Sequence, residues 1–126
     1  MLPLADDFID SDSATVDCLA NLLDRLIQAN NSRTQTATYL KFQSAYASDV
    51  SVHAYLTRIH NYAHCSRACL VMAMIYIDRL IETNNGLVLT NLNVHRLLIT
   101  GVLIAVKWHD DMFYNNAYFA KLGKFL

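Results

Sequence analysis

Apolar residues recur at helical spacing along most of this chain. Val16, Leu19, Leu22, Leu23, Leu26 and Ile27 share one stripe, which predicts a helix from about Ala14 to Ala29. Asp12 or Ser13 offers a short oxygen-bearing side chain to the exposed amides of its first turn, and the polar run from Asn30 to Thr34 closes it. Val52, Tyr55, Leu56, Ile59 and Ala63 predict a second helix from near Ser51 to about His64. Ser66 is the expected cap of a third, from Arg67 to about Thr83, with Leu70, Ala73, Met74, Ile77 and Leu80 inward. Asn84-Asn85-Gly86 then supplies a left-handed stop, which Asn and Gly tolerate best. The fourth helix opens at Thr90 or Asn91 and continues to about His109. Between Leu97 and Val106 it is apolar on nearly every side, as a central helix covered by neighbours would be. A short last helix is expected from Asn115 to Leu122, with Gly123 beyond it. From Gln35 to Asp49 the chain is polar and weakly periodic, which predicts an irregular connection with a short helical turn near Leu40.

Composition narrows the class. The 126 residues suit one domain and are 54% hydrophobic, yet include only three Gly and one Pro. Long helices with short links fit that mixture, and a many-stranded sandwich does not, so the expected fold is all-α. A formal charge of −1 leaves no basic field for nucleic acid. Cys18, Cys65 and Cys69 cannot all pair within one molecule and read as reduced thiols packed as small apolar groups. The acidic start lacks the regions of a signal peptide, and the apolar stretch from Leu97 to Val106 is shorter than the roughly 20 residues of a membrane span. A cytoplasmic or nuclear protein is expected, with no membrane partner.

Few residues suggest chemistry. His60, His64 and Cys65 are close in sequence, but Cys65 directly follows His64 and leaves their shared face, and no second ligand pair follows at finger spacing. His109-Asp110 matches the dipeptide of helical metal-dependent phosphohydrolases, for which His60, His64, His95 and Asp78 are formally available. A dipeptide without its context is weak, and Asp110-Asp111 reads more simply as a solvated helix end. With Gly86, Gly101 and Gly123 alone, no glycine-rich phosphate cradle exists. No metal, cofactor or catalytic group is expected, and the chain reads as a non-enzyme. Arg58 and Asp78 each interrupt an apolar stretch, so they either meet as a buried pair or reach solvent at a groove edge. Gly101 sits on one helical face with Leu97, Ile104, Lys107 and Trp108. That face reads either as a docking surface with a cationic end or as a core helix whose last turn surfaces.

These segments carry a family resemblance. The run Ser51-Val-His-Ala-Tyr-Leu-Thr-Arg-Ile-His, then Tyr76-Ile-Asp-Arg-Leu-Ile, then Leu92-Asn-Val-His-Arg-Leu-Leu-Ile-Thr resembles the cyclin box. Asn115-Asn-Ala-Tyr-Phe-Ala-Lys-Leu-Gly resembles more narrowly the P/U-type, phosphate-pathway cyclins, and the likeness spans roughly Leu19 to Gly123. It implies an orthogonal helical bundle of the cyclin-box type, with residues 1–50 as an N-terminal helix and connection packed on the box, and 51–126 as its first part. It implies that Arg58 pairs with Asp78 across two helices. It also implies that Lys107 contacts a cyclin-dependent serine/threonine kinase, beside Ile104 and Trp108. His109 stands where the family commonly has an acidic residue, with Asp110 following.

The family's box also has a fifth helix carrying a glutamate, whereas this chain ends at Leu126 and has Lys124 where a second glycine is common. The expectation is therefore a box lacking its last helix or helices, either as a fragment or by nature. Apolar surface left open on the central helix, at about 25 cal/mol per Å², would drive the isolated chain to self-associate. The function implied is a regulatory subunit that binds and activates such a kinase through an apolar helix face. The alternative is a helical adaptor or scaffold that has lost kinase activation.

Overall fold

The computed structural model describes residues 4–35, 37–63, 65–109 and 121. They form α1 (Leu4–Ala29), a 3-10 helix (Ala37–Phe42), α2 (Val52–Tyr62), α3 (Arg67–Thr83) and α4 (Val94–His109), with no strand among the described residues. The fold is all-α.

Local chemistry sets most of the boundaries. Ser51 has extended backbone (φ −64°, ψ 158°), and its hydroxyl accepts from the Ala54 amide at 3.1 Å, which starts α2. Ser66 does the same for α3, accepting from the Cys69 amide at 3.2 Å. Beyond α3, Gly86 takes φ 93°, a left-handed value that a side chain would oppose, so the chain reverses there. α4 begins later than the pattern predicts. Residues 91–93 form a turn in which Thr90 accepts from the Leu92 amide and the Asn93 side chain accepts from the Thr90 amide. Thr90 and Asn93 thus prepare the helix without belonging to it.

α1 departs further, beginning at Leu4 rather than Ala14, so Asp12 and Ser13 lie within the helix and do not cap it. Ser and Asp in a helix interior cost only about 0.5 kcal/mol each. No Gly or Pro between Leu4 and Ala29 obliges the helix to start late.

One core runs through all four α-helices. α1 contributes Val16, Leu19, Ala20 and Leu23; α2 contributes Val52, Tyr55, Leu56 and Ile59. Cys69, Leu70, Ala73 and Ile77 of α3 meet Val94, Leu98, Val102, Ala105 and Val106 of α4. The α3–α4 contact is the most extensive, and α2 packs chiefly on α1. The buried stripes are narrower than the sequence pattern. Leu22 (46%) and Leu26 (42%) of α1 and Leu80 (39%) of α3 are exposed. Leu22 and Leu26 lie on one flank of the Leu23 line, outside the strip that α2 covers, and Leu80 sits in the last turn of α3. Cys65 and Cys69 are buried thiols, whereas Cys18 is exposed.

Gly101 explains the closeness of α3 and α4. A Cβ built there would stand 3.2 Å from the Ala73 carbonyl oxygen and 3.4 Å from the Ala73 Cβ, leaving no room for a larger side chain. Gly101→Leu is therefore expected to lower unfolding free energy by about 1–3 kcal/mol in urea titrations. An unchanged midpoint and slope would mean that the helices are not in close contact there.

Tyr55, 2% exposed, joins α2 to α4 by placing its ring edge-on to His95, with centroids 4.6 Å apart. Burial pushes its phenol up to about 12 from the usual 10. Because the folded value is raised, this contribution to stability is intact below pH 10 and drains away as pH climbs through 12. Ultraviolet titration should show the Tyr55 phenol ionising above the ordinary range, together with loss of helix; complete phenol ionisation near pH 10 in a folded chain would contradict it.

Candidate partner-binding face

The far end of α4 changes character within two turns. Val102, Ala105 and Val106 are buried, while Ile104 (41%), Lys107 and Trp108 (79%) are exposed. Ile104 is three residues from Lys107 and four from Trp108, so the three side chains follow one another on a single side of the helix. Thr100 continues that side one turn earlier and is also exposed, its hydroxyl donating to the Arg96 carbonyl at 2.8 Å. An indole, a branched aliphatic and an ammonium on a helix anchored by its other side can offer shape and charge to another polypeptide. His109 closes the helix, and the placement of its side chain lies outside the description, as do Asp110, Asp111 and, Lys121 apart, the expected helix from Asn115 to Leu122.

Arg58 and Asp78 are a correction. Both are exposed, and no ion pair joins them. α2 buries Tyr55, Leu56 and Ile59 against α1 and α4, which turns Arg58 off the buried face; Asp78 falls beside Ile77 on the outer face of α3. His53 Nε2 lies 2.5 Å from Asp17 Oδ1, a hydrogen bond that becomes an ion pair when the imidazole is protonated, tying α2 to α1 at an exposed position. The two residues line an open cleft with Thr57 and His60, on the α1–α2 side.

The metal-ligand candidates are not brought together. The Nδ1 of His60 lies 2.9 Å from the Cys65 carbonyl oxygen, which can only accept, so Nδ1 is the donor there, and His64 lies outside the described residues. Among the described residues no three His, Cys, Asp or Glu side chains stand where they could share a metal ion, and no helix is long and apolar enough to cross a membrane.

Two features escaped the sequence reading. Val71 and Ile75 are exposed one turn apart on the outer side of α3, where the apolar pattern alone could not separate them from the inward set. Gln35 and Asn93 are buried polar residues whose side-chain oxygen and nitrogen atoms are each hydrogen-bonded, Gln35 to Val88 far along the chain and Asn93 to Val88 and Thr90 nearby.

Residues 12–125 match the family model described as Cyclin. The chain is 40% identical over 109 residues to Cyclin-U4-1 of Arabidopsis thaliana, covering 83% of this chain and 54% of that protein. It is 42% identical over 112 residues to Cyclin-P4-1 of Oryza sativa subsp. japonica, covering 83% and 53%. The chain thus spans about half the length of these curated relatives.

Since Arg58 and Asp78 are solvated separately, Arg58→Ala should shift stability by no more than about 0.5 kcal/mol. Thermal melts of the two chains test this; a loss of about 3 kcal/mol or more would instead indicate a buried pair with its partner stranded.

Proposed function

The chain belongs to the cyclin family, and on that premise we propose that it is a regulatory subunit for a cyclin-dependent serine/threonine kinase, docking through the exposed end of α4. The observation that carries this reading is the exposure of Ile104, Lys107 and Trp108 on one side of a helix whose opposite side is locked in the core. A rigid helix presenting such a face holds its side chains ready, so little ordering is lost on binding.

In this reading the chain supplies no catalytic group. It binds one arrangement of the kinase's mobile helix in preference to another, and the difference in affinity shifts the population. In protein kinases, placing that helix completes a Lys–Glu ion pair required for phosphoryl transfer. Lys107 contributes a positive charge to the contact, Ile104 apolar area, and Trp108 an aromatic anchor; the role of His109 is a polar contact at the helix end. Specificity among kinases lies in how well their surfaces match this small, cationic and apolar patch.

Lys107→Glu should weaken association with a responsive kinase at least about tenfold, which corresponds to roughly 1.4 kcal/mol, while the melting temperature stays nearly unchanged. Titration of the two chains against a panel of cyclin-dependent kinases, with a peptide phosphorylation assay alongside, makes the comparison. Undiminished binding by Lys107→Glu would sink the proposed face. Association without activation would assign the chain to the adaptor class.

A further inference from the structure

Among the described side chains of residues 30–50, between α1 and α2, Val50 packs against the apolar core and few others are buried. Most are exposed, including Leu40 (50%) and Tyr46 (85%). Polar ties fasten the segment, and these ties run to one stretch, residues 84–96. The Asn30 side-chain Nδ2 donates to the Leu89 carbonyl at 3.0 Å, the Tyr39 hydroxyl lies 3.3 Å from Asn84 Oδ1, and the Ser44 N–H donates to the Leu92 carbonyl at 2.8 Å. Arg96 donates to the Gln43 carbonyl at 3.2 Å, and His95 Nε2 lies 2.7 Å from the Val50 carbonyl oxygen.

Gln35 is the centre of this set. Its Nε2 donates to the Val88 carbonyl and its Oε1 accepts from the Val88 N–H, both at 2.7 Å. A residue on a neighbouring β-strand exchanges the same two bonds with its opposite number. Leu87, Val88 and Leu89 are buried and non-helical, so their backbone groups need partners that neither helix supplies. One side-chain amide takes the place of a strand, and Asn93 adds a second donor to the Val88 carbonyl at 2.8 Å.

We propose that residues 30–50 are a strap, buckled by Gln35 onto Val88, which opens and closes as a unit separate from the helical core. The net worth of each hydrogen bond is small because water replaces it on opening, whereas separating the helices would expose the shared apolar core. The strap is therefore the part that yields first. Opening it uncovers the α3–α4 link and the first turn of α4 while the contact at Ala73 and Gly101 persists. The device stands whether or not the partner is a kinase.

Amide hydrogen exchange on the whole chain tests the proposal with two variants. Gln35→Met keeps similar volume and removes both bonds; the Val88 and Ser44 amides should exchange roughly tenfold faster or more, relative to the unaltered chain, while Leu56, Ile59, Leu70 and Ala73 keep their rates. Gln35→Glu separates hydrogen bonding from packing. As a neutral acid the new side chain both donates and accepts, but once ionised it has no proton to offer and faces the Val88 carbonyl oxygen. Burial and that facing oxygen hold this carboxyl above the usual value of about 4.3. Val88 protection in Gln35→Glu, measured against the unaltered chain at each pH, should be near normal below about pH 4.3 and fall as pH rises. Unchanged Val88 exchange in Gln35→Met overturns the proposal, as does equal acceleration across the core amides. So does a pH-independent deficit in Gln35→Glu, or loss of the folded core in either variant.

Discussion

The contact of α4 with α3 at Gly101 and Ala73 is the constraint on which the molecule's geometry turns. Because Gly101 has no side chain, the two helices meet almost backbone to backbone, and the residues on either side, Leu98, Val102 and Ala105, bury against Cys69, Leu70 and Ile77. Close packing of this kind transmits position, since an interior at crystal-like density has no slack in which a helix can rotate. The orientation of the exposed end of α4 is thus set two turns away, by a buried residue.

Around that contact the chain divides its work between apolar and polar groups. α1 and α2 are joined by apolar side chains, with an exposed His53–Asp17 tie that adds at most about 1 kcal/mol. The segment before α4 is different: buried, non-helical, and satisfied by the side-chain amides of Gln35, Asn93 and Asn30. Hydrogen bonds specify register there, because an amide that misses its partner in a buried place loses more than a displaced methyl group would. The start of α4 is fixed by polar complementarity and its middle by volume.

How much of this was legible in the sequence follows from what each residue responds to. Ser51, Ser66 and Gly86 act through their immediate neighbours, so the caps of α2 and α3 and the reversal after α3 could be read directly. The buried side of α2 was also readable, because a short helix with one apolar stripe has one way to face inward. Leu22, Leu26 and Leu80 were not readable, since their exposure depends on how far a neighbouring helix extends, which periodicity does not encode. Arg58 and Asp78 failed for the same reason: the resemblance paired them, but the packing of α2 on α1 turns Arg58 to solvent, and Asp78 lies on the outer face of α3. For the candidate site, spacing placed Ile104, Lys107 and Trp108 on one side and left open whether that side was core or surface. Only the position of neighbouring helices decides, and it leaves them accessible.

Trp108 is the chain's single tryptophan, and at 79% exposure its indole remains largely in water when the core has formed. Folding therefore changes its surroundings little, whereas any polypeptide laid over the last turn of α4 removes that water. Indole fluorescence depends on local polarity, so emission from this protein is nearly blind to its own collapse. The chain carries a built-in optical gauge of occupancy at one end of one helix.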